Sequence, residues 1–258
     1  MKSGDIGSVS APVTAQNGVQ MNDFSDPDAA AVRARLLAVR QRIVRAEQRY
    51  GRAPGTVALL AVSKTWPMSA IRIAHEEGQV LFGESYLQEA LPKIEALQGQ
   101  SLEWHFIGPL QSNKTRQIAQ HFSWVHSIDR ELIVQRLNAQ RSPSLPPLNI
   151  CLQVKVGDEA QKAGVDVRDT VALQRLAANA AGLPHIKLRG LMAIPAPLQD
   201  FDEQRRAFAM VREAFERLNR EGAGLDTLSM GMSNDMDAAI AEGATLVRIG
   251  SAIFGGRA

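Results

Sequence analysis

Several residue types are scarce in this sequence. It has one cysteine, Cys151, two tyrosines, 5% aromatic residues and almost no net charge. A single cysteine excludes an internal disulfide framework and any zinc site built from several thiolates. It also points to a reducing, cytoplasmic setting. Lys+Arg 29 against Asp+Glu 27 leaves +2, too little for general nucleic-acid affinity driven by counterion release. The longest uninterrupted aliphatic run, Val57 to Val62, is about a third of what a membrane-spanning helix needs. The histidines, at 75, 105, 121, 126 and 185, show no metal-ligand spacing. No metal, nucleic acid or membrane is therefore expected as a partner. What is present is an ordinary globular balance of 45% hydrophobic and 22% charged residues over 258 positions, enough chain to bury a sizeable core.

Residues 1–26 are rich in Ser, Gly, Ala, Gln and Asn without apolar periodicity and read as a flexible tail. The domain is expected over 27–258, opening at Pro27 behind a capping Asp26. From Asp28 to Arg52 run seven arginines against two acidic residues, with Val32, Leu36, Val39, Ile43, Ala46 and Tyr50 recurring at three and four. That spacing predicts a helix with one buried stripe. Its arginines suit either an anionic partner or a solvated face. The absence of interleaved aromatic residues or glycines favours the solvated face.

Beyond this helix, β-rich runs at 57–63, 80–83, 103–108, 124–128, 148–156, 186–192, 225–230 and 245–250 alternate with helical stretches at 69–77, 86–97, 113–121, 130–141, 168–181, 202–221 and 234–242. Eight such alternations predict an α/β fold, a single (β/α)8 TIM-type barrel with an additional N-terminal helix. A doubly wound sheet is the competitor, but it requires a glycine-rich first turn. The first turn here is Ser63-Lys64-Thr65-Trp66-Pro67.

Active sites of such barrels sit at the C-terminal strand ends. Those ends carry Lys64, Glu84, His105, His126 with Ser127, Lys155, Met192, Ser229 and Arg248. Strand alternation sends Asn149, Cys151, Gln153 and Lys155 inward and brings Lys64, Lys155 and Arg248 to one mouth, where three cations imply an anion. Ser229-Met230-Gly231-Met232-Ser233 after the seventh strand and Gly250-Ser251 after the eighth suit a phosphate cradle between those loops. Neighbouring cations and partial burial favour the neutral amine of Lys64, the form that attacks an aldehyde. The plain alternative is an ion pair between Lys64 and Glu84. Aldehyde and phosphate on one ligand point to pyridoxal 5′-phosphate.

The ordered stretches Ala61-Val62-Ser63-Lys64, Phe82-Gly83-Glu84, Trp104-His105-Phe106-Ile107-Gly108, Leu110-Gln111-Ser112-Asn113-Lys114, Gly190-Leu191-Met192, Ser229-Met230-Gly231-Met232-Ser233 and Val247-Arg248-Ile249-Gly250 resemble the pyridoxal phosphate homeostasis protein family. The barrel of that family is similar to the N-terminal domain of alanine racemase, a fold-type III pyridoxal phosphate protein. The resemblance spans residues 32–256. It implies that Lys64 forms the Schiff base, that Ser229, Gly250 and Ser251 hold the phosphate, that Arg248 faces the pyridine nitrogen and that Met192 lines the pocket. Two positions depart from the family pattern, with Ser85 and Lys155 where asparagine is usual. Serine reaches less far than asparagine and lysine only donates, so ring contacts differ there, and Lys155 is a second candidate amine.

A cation at the pyridine nitrogen keeps it unprotonated and makes the ring a poor electron sink. Racemisation also needs proton carriers on both faces of the substrate carbon. The two tyrosines, Tyr50 and Tyr86, lie on the first helix and just after the second strand. The resemblance thus implies a carrier and buffer that supplies apo-enzymes, with no catalytic residues and as a monomer. A racemase-like enzyme with a reduced barrel, a class I aldolase-type barrel and a pure interaction module are the alternatives. The remaining histidines, His105 and His126 above all, suit core hydrogen bonding better than catalysis.

Overall fold

A computed structural model of the chain describes Met1 and residues 28–157 and 162–256. Apart from Met1, the expected tail lies outside the described residues, and so do Pro27 and Asp26. The first helix, α1 (Ala29–Arg49), is capped by Asp28, whose carboxylate accepts from the Ala30 and Ala31 amides. Those amides have no partner within the helix, which is why an acidic cap one residue ahead of Ala29 stabilises its start.

Eight parallel strands follow: β1 (Ala58–Val62), β2 (Leu81–Glu84), β3 (Glu103–Phe106), β4 (Trp124–Ile128), β5 (Leu148–Lys155), β6 (Ile186–Ala193), β7 (Thr227–Ser229) and β8 (Leu246–Ile249). Each pairs with the next, and β8 pairs back with β1, Leu60 opposite Arg248, so the sheet closes. The connecting helices are α2 (Met68–Glu76), α3 (Leu87–Ala96), α4 (Thr115–His121), α5 (Glu131–Gln140), α6 (Thr170–Ala181), α7 (Phe201–Arg220) and α8 (Met236–Ala241), with a short α9 (Ser251–Phe254) after the last strand. The predicted (β/α)8 barrel is therefore present, and α1 packs against α2, α8 and α9, in the place of a full eighth helix. One element was not expected. Val165–Asp166 adds a two-residue strand beside Val154 and Lys155.

The main core lies between sheet and helices, where alternate strand residues such as Leu148, Ile150, Leu152 and Val154 meet the helical stripes. A separate lumenal group joins Trp124, Cys151 and Met192, as the alternation of β5 requires. Barrel closure also explains a motif glycine. A Cβ on Gly190 would stand 1.7 Å from the Thr227 carbonyl oxygen, so β6 and β7 can approach only without one.

The arginine face of α1 is largely solvated as expected, with Arg33, Arg35, Arg45 and Arg49 exposed, but several of these arginines, and Arg52 just beyond the helix, also reach neighbouring helix ends. Arg40 donates to the Glu77 carbonyl beyond α2, Arg35 to the Phe254 carbonyl of α9, and Arg52 to the Ile240 and Ala244 carbonyls around the end of α8. Arg33 pairs with Glu76 and Glu77, and Arg42 with Asp237. Helix C-termini expose unpaired carbonyls and partial negative charge, so a row of guanidiniums is their natural complement. Among the described residues no helix is long and apolar enough to cross a membrane.

Candidate functional site

At the C-terminal ends of the strands lies a cavity of about 260 Å³ lined by Lys64, Ser85, Ser233, Arg248, Gly250 and Ser251, with Trp66, Ile107, Ile194 and Met232 among its apolar lining. Lys64 and Arg248 reach it from neighbouring strands.

Lys64 follows β1 in a tight turn. Trp66 N–H bonds the Ser63 carbonyl at 3.1 Å, and Thr65 adopts φ +66°, a left-handed conformation costly for a β-branched residue. The Thr65 N–H donates to Glu89 on α3 at 2.9 Å and its hydroxyl to the Lys64 carbonyl at 2.6 Å, which together fix the turn. Beneath it, Glu84 Oε1 accepts from Lys93 Nζ at 2.8 Å and from the Ser63 hydroxyl at 2.7 Å, while Lys93 also donates to the Ser63 carbonyl at 3.0 Å. The alternative pairing of Lys64 with Glu84 is thus not what the structure contains, because Lys93 takes that place. Burial raises the Glu84 carboxyl above its ordinary range against the pull of Lys93.

Arg248 is buried. Its Nη1 donates to the Ser229 carbonyl at 2.5 Å and hydroxyl at 2.8 Å, and Nη2 to the Ala193 carbonyl at 2.8 Å. Burial lowers its pKa to about 10, so it remains a cation at neutral pH. The Ser229 hydroxyl also meets His126 Nδ1 at 2.8 Å. The Ser229 hydroxyl bonds Arg248 and is not among the residues lining this cavity, whereas the family resemblance implies a place for it at the phosphate. Ser233, four residues later in the same loop, lines the cavity instead. Gly231 makes the turn between them at φ +97°, where a Cβ would come 2.6 Å from that of Ala239. Strand alternation could not show which serine of the motif the turn would present to the cavity.

Met192 is likewise buried in the lumenal group and is not among the lining residues. Lys155 does not complete a trio of cations. It stands in register with Asp166, whose carboxylate is held at about 2, chiefly by Arg168 with a smaller part from Lys155. The unexpected strand beside β5 accounts for that difference. Cys151, enclosed in the lumen, has its thiol pushed up to about 12 by burial, which makes it a poor nucleophile. His105 and His126 are hydrogen-bonded core residues, as their sequence context suggested. Among the described residues no cluster of His, Cys, Asp or Glu could hold a metal.

The cavity thus offers an amine, a permanent cation, three serine hydroxyls and the backbone amides where α9 begins. That donor set fits a phosphorylated aldehyde. Across residues 35–258 the chain matches the family model for the alanine racemase N-terminal domain. It is 58% identical over 219 residues to the pyridoxal phosphate homeostasis protein of Pseudomonas aeruginosa, covering 85% of this chain and 93% of that one. The solved structure of PipY from Synechococcus elongatus with PLP bound is 36% identical, with a TM-score of 0.74, covering 87% of this chain and 100% of that one. Alanine racemase from Corynebacterium glutamicum shares the fold at 16% identity and a TM-score of 0.67, but only 63% of its length is covered.

Proposed function

The chain belongs to the pyridoxal phosphate homeostasis protein family, and we propose that it holds pyridoxal 5′-phosphate and buffers its intracellular supply without turning over a substrate. When bound, the cofactor supplies an aldehyde for covalent attachment and a pyridine ring that can accept electrons. Lys64 provides the amine for the Schiff base. Gly250, Ser251 and Ser233 hold the phosphate, with the amides at the start of α9 as further donors. Arg248 faces the pyridine nitrogen and keeps it unprotonated, while Ser229 supports Arg248 from below. Ser85 takes the place of the usual asparagine near the ring, and Met192 packs behind the pocket.

The observation that carries the reading is the composition of the cavity wall. Among the described residues lining it, the ionisable groups are Lys64 and Arg248, with no histidine, carboxylate, cysteine or tyrosine. A racemase-like reaction needs a second proton carrier opposite the lysine. Tyr50 is stacked against Phe201, and Tyr86 is exposed beyond Ser85 without lining the cavity. A cytoplasmic monomer that passes the cofactor to apo-enzymes suits this wall and the near absence of cysteine.

An absorption spectrum with added pyridoxal 5′-phosphate, followed by borohydride reduction and peptide mapping, tests the assignment. A yellow protein with the adduct on Lys64 is expected. A colourless protein without adduct refutes it. Racemisation of alanine above the level of a Lys64→Ala control would replace the carrier with an enzyme.

A further inference from the structure

A file of buried polar groups crosses the barrel lumen from the mouth toward its opposite end. Arg248 bonds the Ser229 hydroxyl at 2.8 Å, Ser229 meets His126 Nδ1 at 2.8 Å, His126 Nε2 meets His105 Nδ1 at 2.9 Å, and His105 Nε2 meets Glu103 Oε1 at 2.9 Å. Ser229, His126 and His105 are buried, whereas the Glu103 side chain is 40% exposed at the start of β3. The His105 ring is stacked on Trp124 at 5.2 Å, which fixes its plane.

The two ends determine every proton between them. The His105 contact holds the Glu103 carboxyl below its ordinary range, so at neutral pH it is ionised and only accepts. Burial holds both histidines below the ordinary imidazole range, so each is neutral and carries one proton. His105 must then donate from Nε2 to Glu103 and accept at Nδ1. His126 must donate from Nε2 to His105 and accept at Nδ1. Ser229 gives its proton to His126, which turns its lone pairs to the guanidinium. Every donor points the same way, from the cation at the mouth to the anion at the far end. Hydrogen bonds aligned head to tail polarise and strengthen one another.

We propose that Glu103, His105, His126 and Ser229 are positioning residues for the cofactor, a one-way hydrogen-bond chain that presents Ser229 as an acceptor and so holds the Arg248 guanidinium toward the ring. This rests on the reading that the mouth binds pyridoxal 5′-phosphate. The chain makes the electronic character of the bound ring depend on a carboxylate that never touches it. The groups bordering Glu103 are Trp124 and Arg189. Arg189 is tied to Asp226 and Asn149 and lies 4.7 Å over the Trp124 ring.

The first test needs no cofactor. In wild-type protein carrying 15N-labelled histidine, nuclear magnetic resonance should show His105 and His126 both neutral with the proton on Nε2. A proton on Nδ1 of either residue, or an imidazolium at neutral pH, overturns the proposal. The second test titrates pyridoxal 5′-phosphate into Ser229→Ala, Glu103→Ala and Glu103→Gln, reading affinity and the position of the visible absorption band. Ser229→Ala should bind about tenfold more weakly, the loss of about one hydrogen bond to a charged group. Glu103→Ala should shift the band, and Glu103→Gln, which keeps an acceptor oxygen, should restore it. Wild-type spectra and affinities in both alanine variants overturn the proposal while leaving the cofactor assignment intact. Failure of the wild-type protein to bind removes the cofactor assignment and with it this role for the chain, while the histidine tautomers independently report whether the hydrogen-bond chain exists.

Discussion

Lys64 and Arg248 face one cavity from adjacent strands, yet they are held in opposite ways. Lys64 sits half-buried on a turn with a left-handed threonine, above a buried ion pair that belongs to other residues. Arg248 is buried and its guanidinium is clamped by two carbonyls and a hydroxyl. The difference suits the work proposed for each. An amine that attacks an aldehyde must lose a proton and change its bonding, so a fixed turn that carries it suits that role. A cation that sets the character of an aromatic ring must stay charged and still, and a guanidinium does both because it scarcely deprotonates and its donors form a planar fork. The turn beneath the lysine is anchored, and so is the guanidinium of the arginine.

The strongest challenge to this contrast is removal of the lysine. Lys64→Ala should abolish the borohydride-trapped adduct, as read by peptide mapping, without loss of folded structure. An adduct transferred to Lys155 would show that the mouth does not select its amine. Next in size, Lys93→Met strands the buried Glu84 carboxylate and should cost about 3 kcal/mol in denaturant unfolding, the usual scale for breaking a buried pair. Adding Glu84→Gln should recover part of that loss. A neutral Lys93→Met would mean the turn needs no buried anchor. Arg248→Lys keeps the charge but loses the fork, leaving a carbonyl or hydroxyl unpaired, and should cost about 2 kcal/mol. Its cofactor spectrum should change as well, and an unchanged spectrum would contradict the role given to the fork.

The smallest effect concerns pH. His105 and His126 titrate below their ordinary value of 6.5 in the folded protein, so the unfolded chain takes up protons first as pH falls. Their contribution to stability is present above about 6.5 and is lost below it, roughly 1 kcal/mol per pH unit for each histidine. Urea midpoints should fall between pH 6.5 and 5, and less steeply in His126→Gln. Equal slopes would show that His126 is not held neutral by burial.

Much of the fold was legible because barrel strands and helices have different periods. The eight β-rich runs and the intervening helical stripes map onto β1–β8 and α1–α8 with shifts of a few residues at the ends. The extra strand at Val165–Asp166 was not legible, since two residues carry no period. At the site, Lys64, Arg248, Gly250 and Ser251 were identified from strand ends and motif order, and all four line the cavity. Ser229 and Met192 were identified from the same evidence but lie below it. That Ser233 and not Ser229 lines the cavity turns on a positive-φ glycine, and the pairing of Lys93 with Glu84 turns on how α3 lies over β2. Neither leaves a mark in local spacing.

The amino-acid order alone determined the alternation of elements, the inward face of each strand and the residue types gathered at the strand ends, because these depend on neighbours within a few positions. The tertiary structure decided which of those residues share a wall. It turned Arg35 and Arg40 of α1, and Arg52 beyond it, to the ends of three other helices, drew Lys155 beside Asp166, and aligned Glu103, His105, His126, Ser229 and Arg248 across the lumen. These five residues come from β3, β4, β7 and β8. Only barrel closure brings those strands within hydrogen-bond reach around one lumen.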